Sequence, residues 1–378
     1  MSSWFQAIRV AALAAALAAC GGRVQIDPES DSGVDALTAG GTGGSSGTTP
    51  PTGMGGAVPP SGTGAAGGAG PSGAGGVGGS VGGTGAGGGN PPPVPPPADT
   101  CEAVFQAIGL GSWIAFDSDA GGGLRTIFMM HPNRSDVRDL TLGHYIDKEP
   151  SFSPDLRYLS FTSDRTGPPQ IFLLDLVTLQ ARQVTSRPEG ADQSSFSRDG
   201  KLIAFHSGAS VFVINPDGTG ERRVATGLDN LNAYFFPEFS ADGTELVFDR
   251  NNEINAERLD GSGLRQIIQN TTTTIKAPAV SIDGLEIAYS VYCQTGPAIV
   301  TAPFGSPTRF CSGARVTQLD NLDEVVHPAW ASSGFIAYER FNRTTKISSI
   351  AVVSRSGAGP TCIVGSPALD SRNPTWHP

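Results

Sequence analysis

The chain has no apolar run long enough to cross a bilayer as a helix. Its best candidate, Val10 to Ala19, is ten residues long where about 20 are required. It also lacks a basic surplus: 25 Lys and Arg stand against 35 Asp and Glu, a formal net charge of −10. A nucleic-acid surface needs a basic footprint, so that partner class is excluded. Catalytic signatures are missing as well. There is no His-Glu-x-x-His, no Walker loop and no Cys-x-x-Cys, which removes support for a metalloprotease, a nucleotide hydrolase and a thiol redox site. Five histidines are scattered without ligand spacing. A Gly-x-Ser-x-Gly match at Gly43 to Gly47 lies in glycine-rich sequence, where no strand-turn-helix could hold a nucleophile. No catalytic residue and no cofactor are expected, and the sequence leaves any metal undefined.

From Gly40 to Gly89 aromatic and branched apolar residues are nearly absent, and 24 of the 50 residues are glycine. Such a segment has too little apolar surface to offset its ordering entropy. Residues 20–99 therefore read as a disordered linker, with a stiffer Pro-Pro-Pro-Val-Pro-Pro-Pro run at 91–97. Residues 1–19 read as a secretory signal, with Arg9 ahead of the short apolar stretch. The string Leu17-Ala-Ala-Cys20 resembles the bacterial lipobox, which implies cleavage before Cys20 and acylation of its thiol. More than one acyl chain gives a durable anchor. The lipobox family's inner-membrane retention signal, an Asp after the cysteine, is replaced by Gly21. The expected location is thus the outer membrane, facing the periplasm or the cell surface.

Residues 100–378 form the globular part. Removing Arg9, Arg23 and five early acids leaves 23 basic against 30 acidic residues, or −7. One phrase recurs through this part. Its opening half is Pro or Ser, one residue, then a large apolar residue: Pro150-Ser-Phe152, Ser194-Ser-Phe196, Pro237-Glu-Phe239, Pro278-Ala-Val280, Pro328-Ala-Trp330 and Pro374-Thr-Trp376. Its second half is an apolar pair, a small residue and an aromatic, as in Leu202-Ile-Ala-Phe205 and Phe335-Ile-Ala-Tyr338. Openings are 44, 43, 41, 50 and 46 residues apart, the period of a propeller blade. The second half Trp113-Ile-Ala-Phe116 has no opening before it, and Pro374-Thr-Trp376 has no second half after it. The expectation is an all-β, six-bladed β-propeller, closed by pairing the C-terminal strand with the N-terminal blade.

Between the halves lie turns such as Ser197-Arg-Asp-Gly200 and Ser240-Ala-Asp-Gly243, where Ser and Asp bond the turn and Gly supplies positive φ. The full unit, best seen in Phe196-Ser-Arg-Asp-Gly-Lys-Leu-Ile-Ala-Phe205, resembles the TolB-like propeller repeat, also called PD40 or WD40-like. The resemblance covers about residues 112–378 and departs at Trp330-Ala-Ser-Ser-Gly334. It implies a six-bladed binding module of the envelope, whose relatives dock to a peptidoglycan-associated lipoprotein and to translocating toxins. The separate N-terminal domain of TolB proper is missing from this sequence.

Four cysteines remain beyond Cys20. An oxidising compartment favours two disulfides among three possible pairings. Strand parity places Cys101 and Cys362 on the same end beside the closure seam; the remaining pair, Cys293 and Cys311, requires a local irregularity in the blade with the longest repeat. Parity also assigns the strand crossovers to the end where propellers usually bind ligands. Candidate ligand-binding residues there are Asp147, Glu149, Asp192, Asp229, Asp323, Glu324, Asp370, His144 and His327. The doublets Asp164-Arg165, Asp249-Arg250 and Glu339-Arg340 recur at the end of the second strand, and these acids read either as a cation or cationic-peptide site at the channel mouth or, structurally, as bonds to the backbone of adjacent blades and solvated pairs. The expected function is a monomeric, non-enzymatic lipoprotein that binds an envelope protein, peptide or glycan. Two alternatives stay open: a glycan lyase or hydrolase using channel acids or His144 and His327 with a divalent metal, and a purely structural surface protein.

Overall fold

A computed structural model describes residues 100–377, except for 110, 120–122, 227–235, 270–274, 306, 310, 318–322, 332–333 and 365–369. The signal segment, Cys20, the linker and Asp229 lie outside the described residues. The described residues form six blades of four antiparallel strands, ordered from inner to outer, and the sheet of blade 4 gains a fifth, parallel strand at its outer edge. Blade 2 shows the plan: Asp147–Phe152, Tyr158–Ser163, Gln170–Asp175 and Ala181–Gln183. Blade 3 starts at Asp192–Phe196, blade 4 at Glu238–Phe239, blade 5 at Ile275–Val280 and blade 6 at Asp323–Trp330. In every case the opening half of the repeat is the inner strand and the second half is its neighbour.

Blade 1 is composite. Its inner strand is Ser371–His377, paired antiparallel with Trp113–Ser118 through Ile114 opposite Trp376 and Ala115 opposite Thr375. Thr126–Met130 and Arg138–Asp139 complete it. The ring therefore closes at the seam that the split phrase specifies. Each blade buries both faces against its neighbours, so the apolar side chains fall into six clusters, one at each blade interface. That arrangement explains the continuous apolar runs of the second and third strands, because neither face meets water.

The turns follow from their sequence. Ser153 Oγ donates to Asp155 Oδ1 at 2.6 Å and accepts from Tyr158 N–H at 2.8 Å, and Ser197, Ser240 and Ser281 repeat the contact to Asp199, Asp242 and Asp283. The hydroxyl bonds hold these carboxyls below the usual aspartate range, Asp199 down to about 2.

Two departures from the bare repeat are each fixed by a disulfide. A short helix, Cys101–Ile108, is capped by Thr100 Oγ1, which accepts from Ala103 N–H at 3.3 Å. It buries Val104, Phe105 and Ile108 in the cluster shared by blades 6 and 1. Cys101 is bonded to Cys362 in the outermost strand of blade 6, so the helix is pinned across the closure seam. In blade 5 the chain leaves the third strand, Gly296–Pro303, and runs Thr308–Arg309 parallel to the outer strand of blade 4 before returning as Ala314–Arg315. This excursion is the irregularity that Cys293–Cys311 requires, and that bond is present. Gly313 is needed where the chain returns, since a Cβ there would lie 2.2 Å from Thr301 O.

Candidate functional site

The six inner strands surround a central cavity of about 330 Å³, within the range of small-ligand sites. Its mouth is built by one backbone feature repeated around the ring. Glu149, Gln193, Phe236, Ala277, His327 and Asn373 occupy equivalent positions, immediately before the Pro or Ser of the opening phrase. All six have positive φ, from 29° to 56°. In five blades the residue and its successor form a β-bulge, two residues opposite one, and the single residue is the repeat's aromatic: Phe116, Phe161, Phe205, Tyr289 or Tyr338. The two halves of the phrase are thus the two sides of one bulge. Proline is tolerated there because the bulged position needs no ladder N–H.

Five of the six positions turn their N–H toward the preceding blade, where a side chain accepts it. Asp117 Oδ1 takes Glu149 N–H at 3.1 Å, Asp249 Oδ2 takes Ala277 N–H at 3.2 Å, and Glu339 Oε2 takes Asn373 N–H at 3.3 Å. These three acids follow the aromatic of the second strand. Where that position is Thr162, its hydroxyl donates to Glu149 Oε2 at 2.9 Å, and Glu149 itself accepts Gln193 N–H at 3.0 Å. Gln193 Oε1 then accepts Phe236 N–H at 3.1 Å. The mouth is stitched from blade to blade by carboxylate and amide oxygens.

Burial dominates the electrostatics. It raises the Asp117 carboxyl despite Arg125 and Asn373, and it raises Asp249 well above the usual aspartate range against the Ala277 N–H and Lys276. Burial opposes ionisation of Glu339 too, but hydrogen bonds from His327, Ser348 and the Asn373 N–H outweigh it and hold that carboxyl below its usual range.

Two residues beyond the mouth, the same strands present a second layer to the cavity: Ser151, Ser195, Glu238, Ala279, Ala329 and Thr375. Five are small or hydroxylic, and one is an acid. No hydrogen bond is made to the Glu238 carboxyl among the described residues, and burial pushes it up to about 7, with Arg198 pulling the other way. Neighbouring Ser195 is buried, and its Oγ has no partner among the described residues. At the far end Arg198 leaves its blade 3 turn and reaches blade 5, where Nη2 donates to Val280 O and Ser281 O, both at 3.2 Å. At the mouth the Phe236 and His327 rings from blades 4 and 6 meet with centroids 4.8 Å apart, over the small Ala277 of blade 5.

Of the residues expected to bind, Glu149 and His327 line this cavity. His144 lies exposed on the crossover between blades 1 and 2, so the two histidines do not share the cavity. Four of the other acids are held in ion pairs, Asp147 with Arg165 at 3.0 Å, Asp323 with Arg340, Glu324 with Arg343 at 2.8 Å, and Asp370 with Arg125 at 2.9 Å, while Asp192 is hydrogen-bonded to His206 at 2.6 Å. Among the described residues there is no group of three or more His, Cys, Asp and Glu able to hold a metal. Sequence reasoning passed over Gln193, Phe236, Asn373, Glu238, Ser195 and Arg198. Glu238 carried a legible signal, as the single acid at the middle position of the six openings.

Residues 110–257 match the family model described as the TolB beta propeller domain. Curated relatives include the TolB homologues of Chlorobium luteolum, 31% identical over 112 residues, and of Chlorobium chlorochromatii, 35% identical over 142 residues. Those matches cover 28% and 36% of this chain and only 24% and 31% of the relatives. Among solved structures, TolB from Acinetobacter baumannii superposes with a TM-score of 0.59 at 18% identity, covering 73% of this chain and 70% of its own. The putative TolB of Agrobacterium tumefaciens gives 0.53 at 15% identity, covering 71% and 98%. The globular part of the chain is a TolB-like six-bladed propeller.

Proposed function

We propose that this TolB-like propeller is the binding module of an exported, lipid-anchored envelope protein, and that it holds a protein or peptide segment at the mouth of its central cavity. The observation that carries the reading is the bulge ring. Six equivalent backbones accept positive φ, which costs an L-residue roughly 1–2 kcal/mol each, and they present six unlike side chains around one opening. Glu149, Gln193 and Asn373 take part in the stitches that close the ring, whereas the Phe236 ring and the His327 imidazole add an aromatic edge to the cavity mouth that backbone stitching alone does not call for. The TolB homologues and TolB structures matched above support an envelope setting, and the two disulfides fit an oxidising compartment. Acylation at Cys20 would place the module at the membrane, with residues 21–99 as its tether.

No chemistry is assigned to the cavity. A metal-dependent lyase built on His144 and His327 finds no geometric support, since only His327 lies on the cavity.

Photo-crosslinking separates binding from a purely structural role. A crosslinker at Gln193, on the mouth, should trap a discrete envelope partner in intact cells, while the same group at Val177, on an exposed outer turn, should not. Equal labelling from both positions, or none from the mouth, would overturn the proposal.

A further inference from the structure

Between the bulge ring and the Arg198 bridge, the cavity contains a charged group that the fold leaves unused. Asp117, Asp249 and Glu339 each accept a neighbouring N–H, and Glu149 accepts bonds from Lys148, Thr162 and Gln193. Glu238 accepts nothing among the described residues, although it lines the cavity one layer deeper. A half-buried carboxyl without a hydrogen bond is disfavoured in its charged form, and groups perturbed in this way cluster at functional sites.

The surroundings select the sign of a ligand. Ser195 occupies the same layer in the adjacent blade, and its buried hydroxyl, free of any partner among the described residues, can accept as well as donate. Arg198 donates through Nη2 to two carbonyls at the far end, and its buried Nε has no partner among the described residues. An anion entering would meet the Glu238 carboxylate, whereas a cation would be compensated by it. The entrance suits a cation too, since the Phe236 ring borders it and attracts positive charge through its face. The small side chains of Ala279, Ala329, Ser151 and Thr375 keep the lumen open at the level of Glu238.

We infer that this chamber binds a primary ammonium group, with the Glu238 carboxylate as its counter-ion and Ser195 Oγ as a second acceptor. The inference rests on the proposal that the cavity mouth is the binding face, and it specifies what the partner inserts. The ammonium could belong to a lysine side chain of a peptide or to a free amine.

Titration calorimetry on the purified full-length protein, with n-butylamine, n-butanol and butyrate as probes, tests it. Butylammonium should bind while butanol and butyrate do not at equal concentration. Glu238→Gln should weaken binding at least tenfold, and Ser195→Ala a few-fold. Affinity should rise between pH 6 and pH 8 as Glu238 ionises; the other titratable groups lining the cavity are Glu149, Arg198, His327 and His377. Nα-acetyl-lysine amide binding more tightly than butylamine indicates a peptide lysine, and the reverse order indicates a free amine; either supports the ammonium site. Tighter binding of butyrate, equal binding of butanol, or undiminished affinity in Glu238→Gln overturns it. Should Glu238→Gln fail to fold, Glu238→Asp serves, with weaker binding expected from the withdrawn carboxylate. Mouth-specific crosslinks that persist without amine binding would reject this inference alone; amine binding without such crosslinks would reject the protein-partner reading.

Discussion

At the scale of single residues, the cavity wall contains charge that folding does not reward. Glu238 has an ordinary carboxyl value of 4.5 when unfolded and about 7 in the fold, because burial disfavours its anion. A raised carboxyl contributes stability that is complete below the unfolded value and is lost as pH rises through the folded one. Wild type should therefore weaken relative to Glu238→Gln between pH 5 and pH 8, by about 1–3 kcal/mol once partial solvent access is allowed for. Urea unfolding across that range checks it, and parallel curves would contradict the burial account. The bulge ring gives a second residue-level expectation. Ala277 has φ 51° and is followed by Pro278, so Ala277→Gly should relieve strain and offset most of its own entropic penalty. Ala277→Val should cost more than 1 kcal/mol, since a β-branched residue is poorly suited to that region. Equal stability of the two variants would show that the positive φ carries no strain.

At the scale of elements, the inner strand of blade 1 has the greatest leverage. Trp376 is buried in the cluster that joins blades 6 and 1, together with the helix residues Val104 and Phe105. Its replacement by Ala should cost about 3–5 kcal/mol, by analogy with other buried tryptophans. Loss of a single cooperative transition is also expected, because the closing strand holds the first and last blades together. A variant that melted like wild type would show that closure does not depend on this strand. The sequence revealed this element fully, because its phrase was the missing half of another. It did not reveal the helix Cys101–Ile108, whose eight residues carry no repeat, nor the blade 5 excursion, whose pairing partner belongs to blade 4.

At the scale of the whole molecule, the two disulfides should differ in weight. Cys101–Cys362 closes a separation of 261 residues and Cys293–Cys311 one of 18. Chain entropy assigns them up to about 5.6 and 3 kcal/mol respectively, before native-state effects. Paired Cys→Ser variants should show the larger loss in melting temperature for Cys101 and Cys362, and the opposite order would mean that the excursion, not the ring seam, limits stability. Anchoring belongs to this scale as well. Cys20→Ser should release the protein from membrane pellets into a soluble fraction, and continued pelleting would refute acylation at that cysteine.

The sequence by itself determined the repeat, its count, its phase and its closure. Each blade is specified locally by short strands, Ser-x-Asp turns and a period that survives variation in the loops. Counting cysteine positions against strand direction favoured Cys101–Cys362, whereas parity opposed Cys293–Cys311, a bond that the blade 5 excursion makes possible. The binding surface was not legible in the same way. The expected acids Asp147, Asp323 and Glu324 are taken up by arginines that lie 17 or more residues away in sequence, and Asp370 by Arg125 at the far end of the chain as well as by its neighbour Arg372. Which side chains face the axis was decided by the bulge, since one extra residue opposite each aromatic breaks the strict alternation of a strand. Only when the six strands converged did Glu238 and Ser195 come to line one cavity from adjacent blades and Arg198 bridge from blade 3 to blade 5. Local preference builds the blades; the convergence of six inner strands on one axis decides what the cavity presents.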